Sequence, residues 1–96
     1  MNYEQALDAQ WTELRALLRR KHRKYGTENL LLHGEYGIMV RLDDKMARLG
    51  YMLDHPDEAA DDETIEDTLR DVAGYALAWL MLRDGTLTLP MKEVTP

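Results

Sequence analysis

The sequence predicts an all-α domain of three main helices, a bundle-like fold in which the second and third helices form an antiparallel hairpin. Three observations predict it. Apolar residues recur at steps of three and four through three long segments. Gly26, Gly34, Pro56 and Gly85 stand between or after those segments, where helices stop. The 96 residues leave room for one core, so a single domain over 1–96 is expected.

The first helix is expected from Asn2 or Tyr3 to Lys24, with Leu7, Trp11, Leu14 and Leu18 on one stripe and Gly26 as its stop. A short turn through Glu28–Leu32 follows, N-capped by Thr27 and closed by Gly34. The second helix spans Glu35 to Leu53, and Met39, Leu42, Met46, Leu49 and Leu53 give it an amphipathic stripe. The stretch DHPDEAADD reads as a loop. Asp62 is the expected N-cap of the third helix, which ends near Arg83 with Gly85 as stop. The tail TLTLPMKEVTP alternates like a short strand before Pro90 and suits an edge strand or a docked extended arm.

Two of these helices carry more apolar surface than three helices can cover. Val40, Ala47 and Tyr51 lie away from the main stripe of the second helix. Tyr75, Leu77, Trp79, Leu80, Met81 and Leu82 point around the third in every direction. A homodimer or homotetramer built on the second and third helices is the expected way to bury the excess.

Composition narrows the function. With no cysteine, disulfides and thiolate metal sites are excluded. The opening MNYEQALDAQW lacks the basic and apolar regions of a signal peptide, and no apolar run approaches the ~20 residues of a spanning helix. A soluble, cytoplasmic protein is expected, with no membrane partner. The net charge of −6 argues against general nucleic-acid binding. The charge is uneven, however: Arg19, Arg20, Lys21, Arg23 and Lys24 form a basic run, whereas the acids concentrate between Asp54 and Asp71. The run either complements a helix C-terminus or binds phosphate.

Glu63, Asp67 and Asp71 follow one another at four-residue steps, which stacks them on one helical face. Like charges so placed destabilise an isolated helix by roughly 0.2–0.5 kcal/mol per pair. The helix then runs into the apolar stretch Val72–Leu82, so a compensating cation is needed. A hard divalent ion is one candidate, since carboxylates suit Mg²⁺ and Mn²⁺. Arg41 and Arg48, which flank Asp44 on the second helix, are the other. Both readings stay open on physical grounds. His22, His33 and His55 are scattered, and Trp11 and Trp79 sit on apolar stripes; they read as packing or solvated residues. No phosphate-binding glycine loop, H-E-x-x-H or G-x-S-x-G motif is present, and no nucleophile stands out.

The segments KHRKYG, GEYGIMVRLDDKMARL and ETIEDTLRDVAGYA resemble the nucleotide modification associated domain, type one, a family found largely in phages and bacteria. Its pattern runs K-x-x-D-Y-G, an aromatic-Gly turn, V-R-x-x-D-K-x-x-R-L, then E-S-x-x-D-T-L-x-D-x-A-x-Y-A. The resemblance covers about residues 21–80, and its charged signature falls on Arg41, Asp44, Lys45, Arg48, Glu63, Asp67 and Asp71, with Tyr25, Gly26 and Tyr75 beside them. Lys24 departs from it, standing where the family has an acid. That family is in turn similar to the all-α (MazG-like) nucleoside triphosphate pyrophosphatases, which hold Mg²⁺ on an ExxE helix and an ExxD helix. This chain has Arg48 where a second acid of the first pair would stand.

The resemblance implies a nucleotide-binding, Mg²⁺- or Mn²⁺-dependent phosphohydrolase acting on (deoxy)nucleoside triphosphates. Asp44, Glu63, Asp67 and Asp71 would hold the metal, and Asp44, Lys45, Asp67 and Asp71 would serve catalysis. Arg41, Lys45, Arg48, Lys21 and Tyr25 would bind the nucleotide. The alternative is a non-catalytic interaction or nucleotide-sensing module whose acids are tied up in structural salt bridges. The missing second acid favours that alternative.

Overall fold

The computed structural model describes residues 1–58 and 63–92. They form four helices, α1 (Tyr3–Tyr25), α2 (Glu28–Leu31), α3 (Gly34–Asp54) and α4 (Ile65–Asp84), and no strand occurs among the described residues. The all-α expectation holds, with the predicted turn after Thr27 becoming the one-turn α2. No helix of the described residues is long and apolar enough to cross a membrane.

Local chemistry fixes the helix ends. At the start of α1, the Asn2 side chain accepts from the Gln5 backbone N–H at 2.8 Å. The Gln5 side chain accepts in return from the Asn2 N–H at 3.0 Å, a reciprocal cap that satisfies two otherwise orphaned donors. Gly26, at φ +67°, stops the helix while its N–H donates to the His22 carbonyl. The second long connection departs from expectation. Asp62 lies outside the described residues, and the N-cap of α4 is Thr64, whose hydroxyl accepts from the Asp67 N–H at 3.0 Å while Asp67 accepts from the Thr64 N–H at 3.3 Å. At the other end Gly85 takes the left-handed conformation, φ +81°, and the chain folds back so that Thr86 and Leu87 donate to the Met81 carbonyl.

That fold-back corrects the tail. Its described part is a turn rather than an edge strand, and Leu87 is buried, so the segment docks as an arm against the helices. The apolar–polar alternation of TLTL there places one leucine in the core and leaves the other, Leu89, exposed.

The most extensive helix packing is between α3 and α4; α2 lies on α3, and α1 contacts α4. Among the described residues the core is small: Ile38, Leu49, Ala78 and Leu87 are its buried apolar residues, joined by Thr68. Along α3 the inward residues are Ile38, Leu42, Lys45, Leu49 and Met52, whereas the expected stripe ran through Met39, Met46 and Leu53. Those three are exposed. The true face is rotated by about one residue, which leaves a lysine in its middle. Periodicity alone assigned the methionine because charge is ordinarily excluded from a core face; carboxylates on α4 reverse that preference.

Gly74 on α4 allows α1 to approach. A Cβ there would stand 2.7 Å from Leu18 Cδ2, so Leu18 in this rotamer occupies the space a side chain at position 74 would take. The contact holds the C-terminal half of α1, yet no residue of α1 is buried.

With so few buried side chains, each contributes a large share of the stability. Ile38 is fully buried at the N-terminal end of the α3 face, so Ile38→Ala is expected to cost about 2–4 kcal/mol. Urea unfolding followed by circular dichroism would measure it; a loss below ~1 kcal/mol would place the core elsewhere.

Candidate ligand-binding site

Two features meet at the α1–α3–α4 junction, a charged cluster and an apolar cavity. The cluster grows from the lysine on the α3 core face. Lys45 Nζ lies 3.0 Å from Asp71 Oδ2 and 3.5 Å from Glu63 Oε1, and its side chain is only 15% exposed. Each carboxylate has a second cation. Lys21 of α1 reaches Asp71 Oδ1 at 2.6 Å, and Arg48 of α3 reaches Glu63 Oε2 at 3.3 Å. The buried Thr68 hydroxyl lies 3.0 Å from Glu63 Oε1 and 3.1 Å from the Thr64 carbonyl, so its proton can serve either acceptor. No buried side-chain polar atom among the described residues lacks a partner.

Electrostatics follow from this geometry. The Thr68 hydrogen bond, with the charges of Lys45 and Arg48, holds the Glu63 carboxyl below its ordinary range against the opposing effect of desolvation. Burial pushes Asp71 upward, but its hydrogen bonds to Lys21 and Lys45 outweigh that and bring it down. Burial likewise pulls Lys45 down, and the Asp71 hydrogen bond and the two carboxylate charges reverse the sign and raise it. The three groups are mutually stabilised in their charged forms.

The other expected site residues fall around this centre. Asp44 is exposed and pairs with Arg48 at 3.2 Å on its own helix. Asp67 faces away from the cluster, serving the Thr64 cap and approaching Arg70 at 3.5 Å. Arg70 also reaches Glu13 of α1 at 3.1 Å. Arg41 does not answer the acid row. It donates to the Asn29 carbonyl at 3.4 Å and lies over the Tyr75 ring, 5.9 Å from its centroid. Tyr25 is exposed, with Lys24 Nζ 5.3 Å above its ring. Among the described residues, no three carboxylate or histidine groups converge in a metal-binding arrangement; Glu63 and Asp71 do converge, on the Lys45 ammonium.

Beside the cluster lies a cavity of about 610 Å³, within the range of small-molecule sites. Leu17, Leu18, Gly74, Leu77 and Ala78 form its apolar floor, Thr86, Leu87, Leu89, Pro90 and Met91 border it, and Tyr25 and Tyr75 contribute rings. Arg19, Lys21, His22, Arg41 and Arg70 stand along it, with Asp71 its one acid among the described residues. Lys21 and Arg70 are committed to carboxylates. Among the described residues, Arg19 and Arg41 are paired with none.

Sequence reasoning brought Lys21, Tyr25, Arg41 and Asp71 into the candidate set, and all four line this cavity. It overlooked Thr68 and Gly74. A glycine and a threonine inside a long helix, each on the face between neighbouring helices, were the available signals. It also overlooked Glu35, which accepts from the Trp79 indole N–H at 2.6 Å and from Arg83 at 2.7 Å. Those two hydrogen bonds lower the Glu35 carboxyl pKa. No protein-family model, curated protein or solved structure matches the chain.

Removing the central cation tests the cluster. Lys45→Met is expected to cost about 1–3 kcal/mol near neutral pH, because two partly buried carboxylates lose a partner. Glu63 and Asp71 have depressed pKa values in the folded chain, so their contribution is present above their ordinary values of 4.5 and 3.8 and is lost as pH falls through the lower folded ones. Lys45 is raised, so its contribution holds below 10.5 and is lost as pH rises through the higher folded value. The gap between wild type and Lys45→Met should therefore be widest between about pH 5 and 9 and close toward acid. Melting curves across pH read it; a gap independent of pH would show that packing, not charge, holds Lys45. Asp67→Asn, which weakens a helix-end contact and an exposed pairing with Arg70, should cost no more than about 1 kcal/mol.

Proposed function

We propose that this chain is a helical nucleotide-binding module. The α1–α4 cavity takes the base and sugar of the ligand, and Arg41 with Arg19 takes its phosphate. One observation carries the reading: an apolar, ring-bearing cavity of nucleotide size bordered by two arginines, Arg19 and Arg41, that no described carboxylate neutralises. Guanidinium groups bind phosphate oxygens bidentately, and a tyrosine face accepts a base. The KHRKYG and VRLDDKMARL resemblance points to the same ligand class, and Tyr25, Lys21 and Arg41 belong to both arguments.

In this reading α3 and α4 run antiparallel. Contacts at both ends support that: Glu35 near the start of α3 meets Trp79 and Arg83 late in α4, and Arg48 farther along meets Glu63 before α4 begins.

A second reading is favoured by the convergence of Glu63 and Asp71 on a single cation. A divalent ion, Mg²⁺ or Mn²⁺, would replace the Lys45 ammonium between them, with Asp44 and Asp67 contributing after rearrangement, and would support hydrolysis of a bound (deoxy)nucleoside triphosphate. Here the freed Lys45, with Arg48, would neutralise phosphate charge. In the geometry at hand each acid already holds a cationic side chain, which is why binding ranks ahead of turnover.

A panel of nucleoside mono- and triphosphates, with and without Mg²⁺, separates the readings by isothermal titration and product chromatography. Binding is expected without metal, weakened about tenfold or more by Arg41→Ala and by Tyr75→Ala. Metal-dependent turnover lost in Glu63→Gln, with binding retained, would establish the second reading. No binding of any nucleotide at millimolar concentration would overturn both.

A further inference from the structure

The N-terminal half of α1 stands free of the rest of the chain. Tyr3, Leu7 and Trp11 are 75%, 53% and 46% exposed, although they continue the stripe on which Leu18 meets α4 at Gly74. A helix that is half docked and half bare, with its apolar stripe unbroken, has surface to bury.

The chain as a whole carries the same surplus. Its accessible surface is 7706 Å², against about 5,700 Å² for a compact protein of its mass. Its radius of gyration is 15.1 Å, against about 12.5 Å for a compact chain of its length. The surplus surface exceeds the roughly 800 Å² that each partner contributes to a stable interface.

Charge identifies the occupant. Along α1 the acids Glu4, Asp8 and Glu13 come first, and Arg15, Arg19, Arg20, Lys21, Arg23 and Lys24 follow. Two parallel copies would set like against like. Two antiparallel copies set the acidic half of each against the basic half of the other, which is the self-complementarity that a two-fold interface requires. A two-fold axis between Trp11 and Leu14 layers each Trp11 on the second copy's Leu14 and brings Asp8 toward its Arg15. The spacing of Leu7, Trp11, Leu14 and Leu18, four then three then four, is that of a coiled-coil seam.

We propose that this protein self-associates through α1, paired antiparallel with α1 of a second copy. The interface is centred on Trp11 and Leu14 and flanked by Asp8–Arg15 ion pairs. This moves the contact between copies from the second and third helices of the sequence-based expectation to the first. Glu13 is engaged by Arg70 of its own chain, and Lys21 by Asp71, so Glu4, Asp8 and Arg15 remain for the partner.

Sedimentation velocity on the full chain at 1–100 µM, in low and moderate salt, tests the proposal. Wild type is expected at twice the 11.2 kDa chain mass. Leu7→Glu and Trp11→Glu should each weaken association at least tenfold while retaining the wild-type helical circular dichroism. Asp8→Arg and Arg15→Asp should each weaken it, and the two together should restore it, an outcome that only antiparallel pairing of this face produces. A monomeric wild type at 100 µM would overturn the proposal, as would an oligomer insensitive to Leu7→Glu and Trp11→Glu. A double charge exchange no tighter than its singles would overturn the antiparallel register.

Discussion

Lys45 stands on the inward face of α3 where an apolar side chain would be the usual occupant, and the meeting of α3, α4 and α1 is organised around it. An unpartnered ammonium there would have to stay hydrated or give up its proton. Asp71 and Glu63 remove that difficulty, and Lys45 in turn removes theirs. Each acid then has an oxygen to spare, and those oxygens recruit Lys21 from α1 and Arg48 from α3. One charge on the core face thus generates a network linking three helices. Such a network fixes which residues face each other more than it adds net stability, since desolvating the ions offsets much of their attraction. The apolar side chains supply the driving force; the ions select the alignment.

This explains where the sequence was legible and where it was not. The three long helices, Gly26 and Gly85 could be read because they depend on local chemistry, namely the 3.6-residue period and the tolerance of glycine for positive φ. The acid row was visible, but its three members met different fates. Glu63 and Asp71 turn to Lys45, while Asp67, three residues after Thr64, is drawn to the exposed amides of the first turn. A four-residue step predicts a shared face, yet a residue in the opening turn has the competing option of capping. Choosing Asp62 as the cap placed the helix start too early and hid that option.

The one-residue error in the α3 stripe has a related origin. Met39, Met46 and Leu53 make as good a periodic pattern as Ile38, Lys45 and Met52, and hydrophobicity favours the former. What decides between them lies on another helix, in the carboxylates that make Lys45 acceptable inside. Long-range compensation of this kind leaves no trace in the local period. The cavity is illegible for the same reason, because Gly74 becomes meaningful only once Leu18 is known to sit over it.

Asp71 belongs to both halves of the site: it lines the cavity and it holds Lys45. Its other oxygen binds Lys21, on the helix that forms the opposite wall. The cavity wall and the charged cluster therefore share one side chain, and neither can change its charge without consequence for the other. A ligand phosphate competing for Lys21 would leave Asp71 to Lys45 alone, tightening the α3–α4 contact while loosening the tie to α1. Conversely, a cation displacing Lys45 would leave Asp71 more dependent on Lys21, holding the α1 wall in place. Such coupling is reciprocal wherever two equilibria share a group. It makes the α1 docking contact, seated on one glycine and one lysine, the element of this fold most responsive to what the site holds.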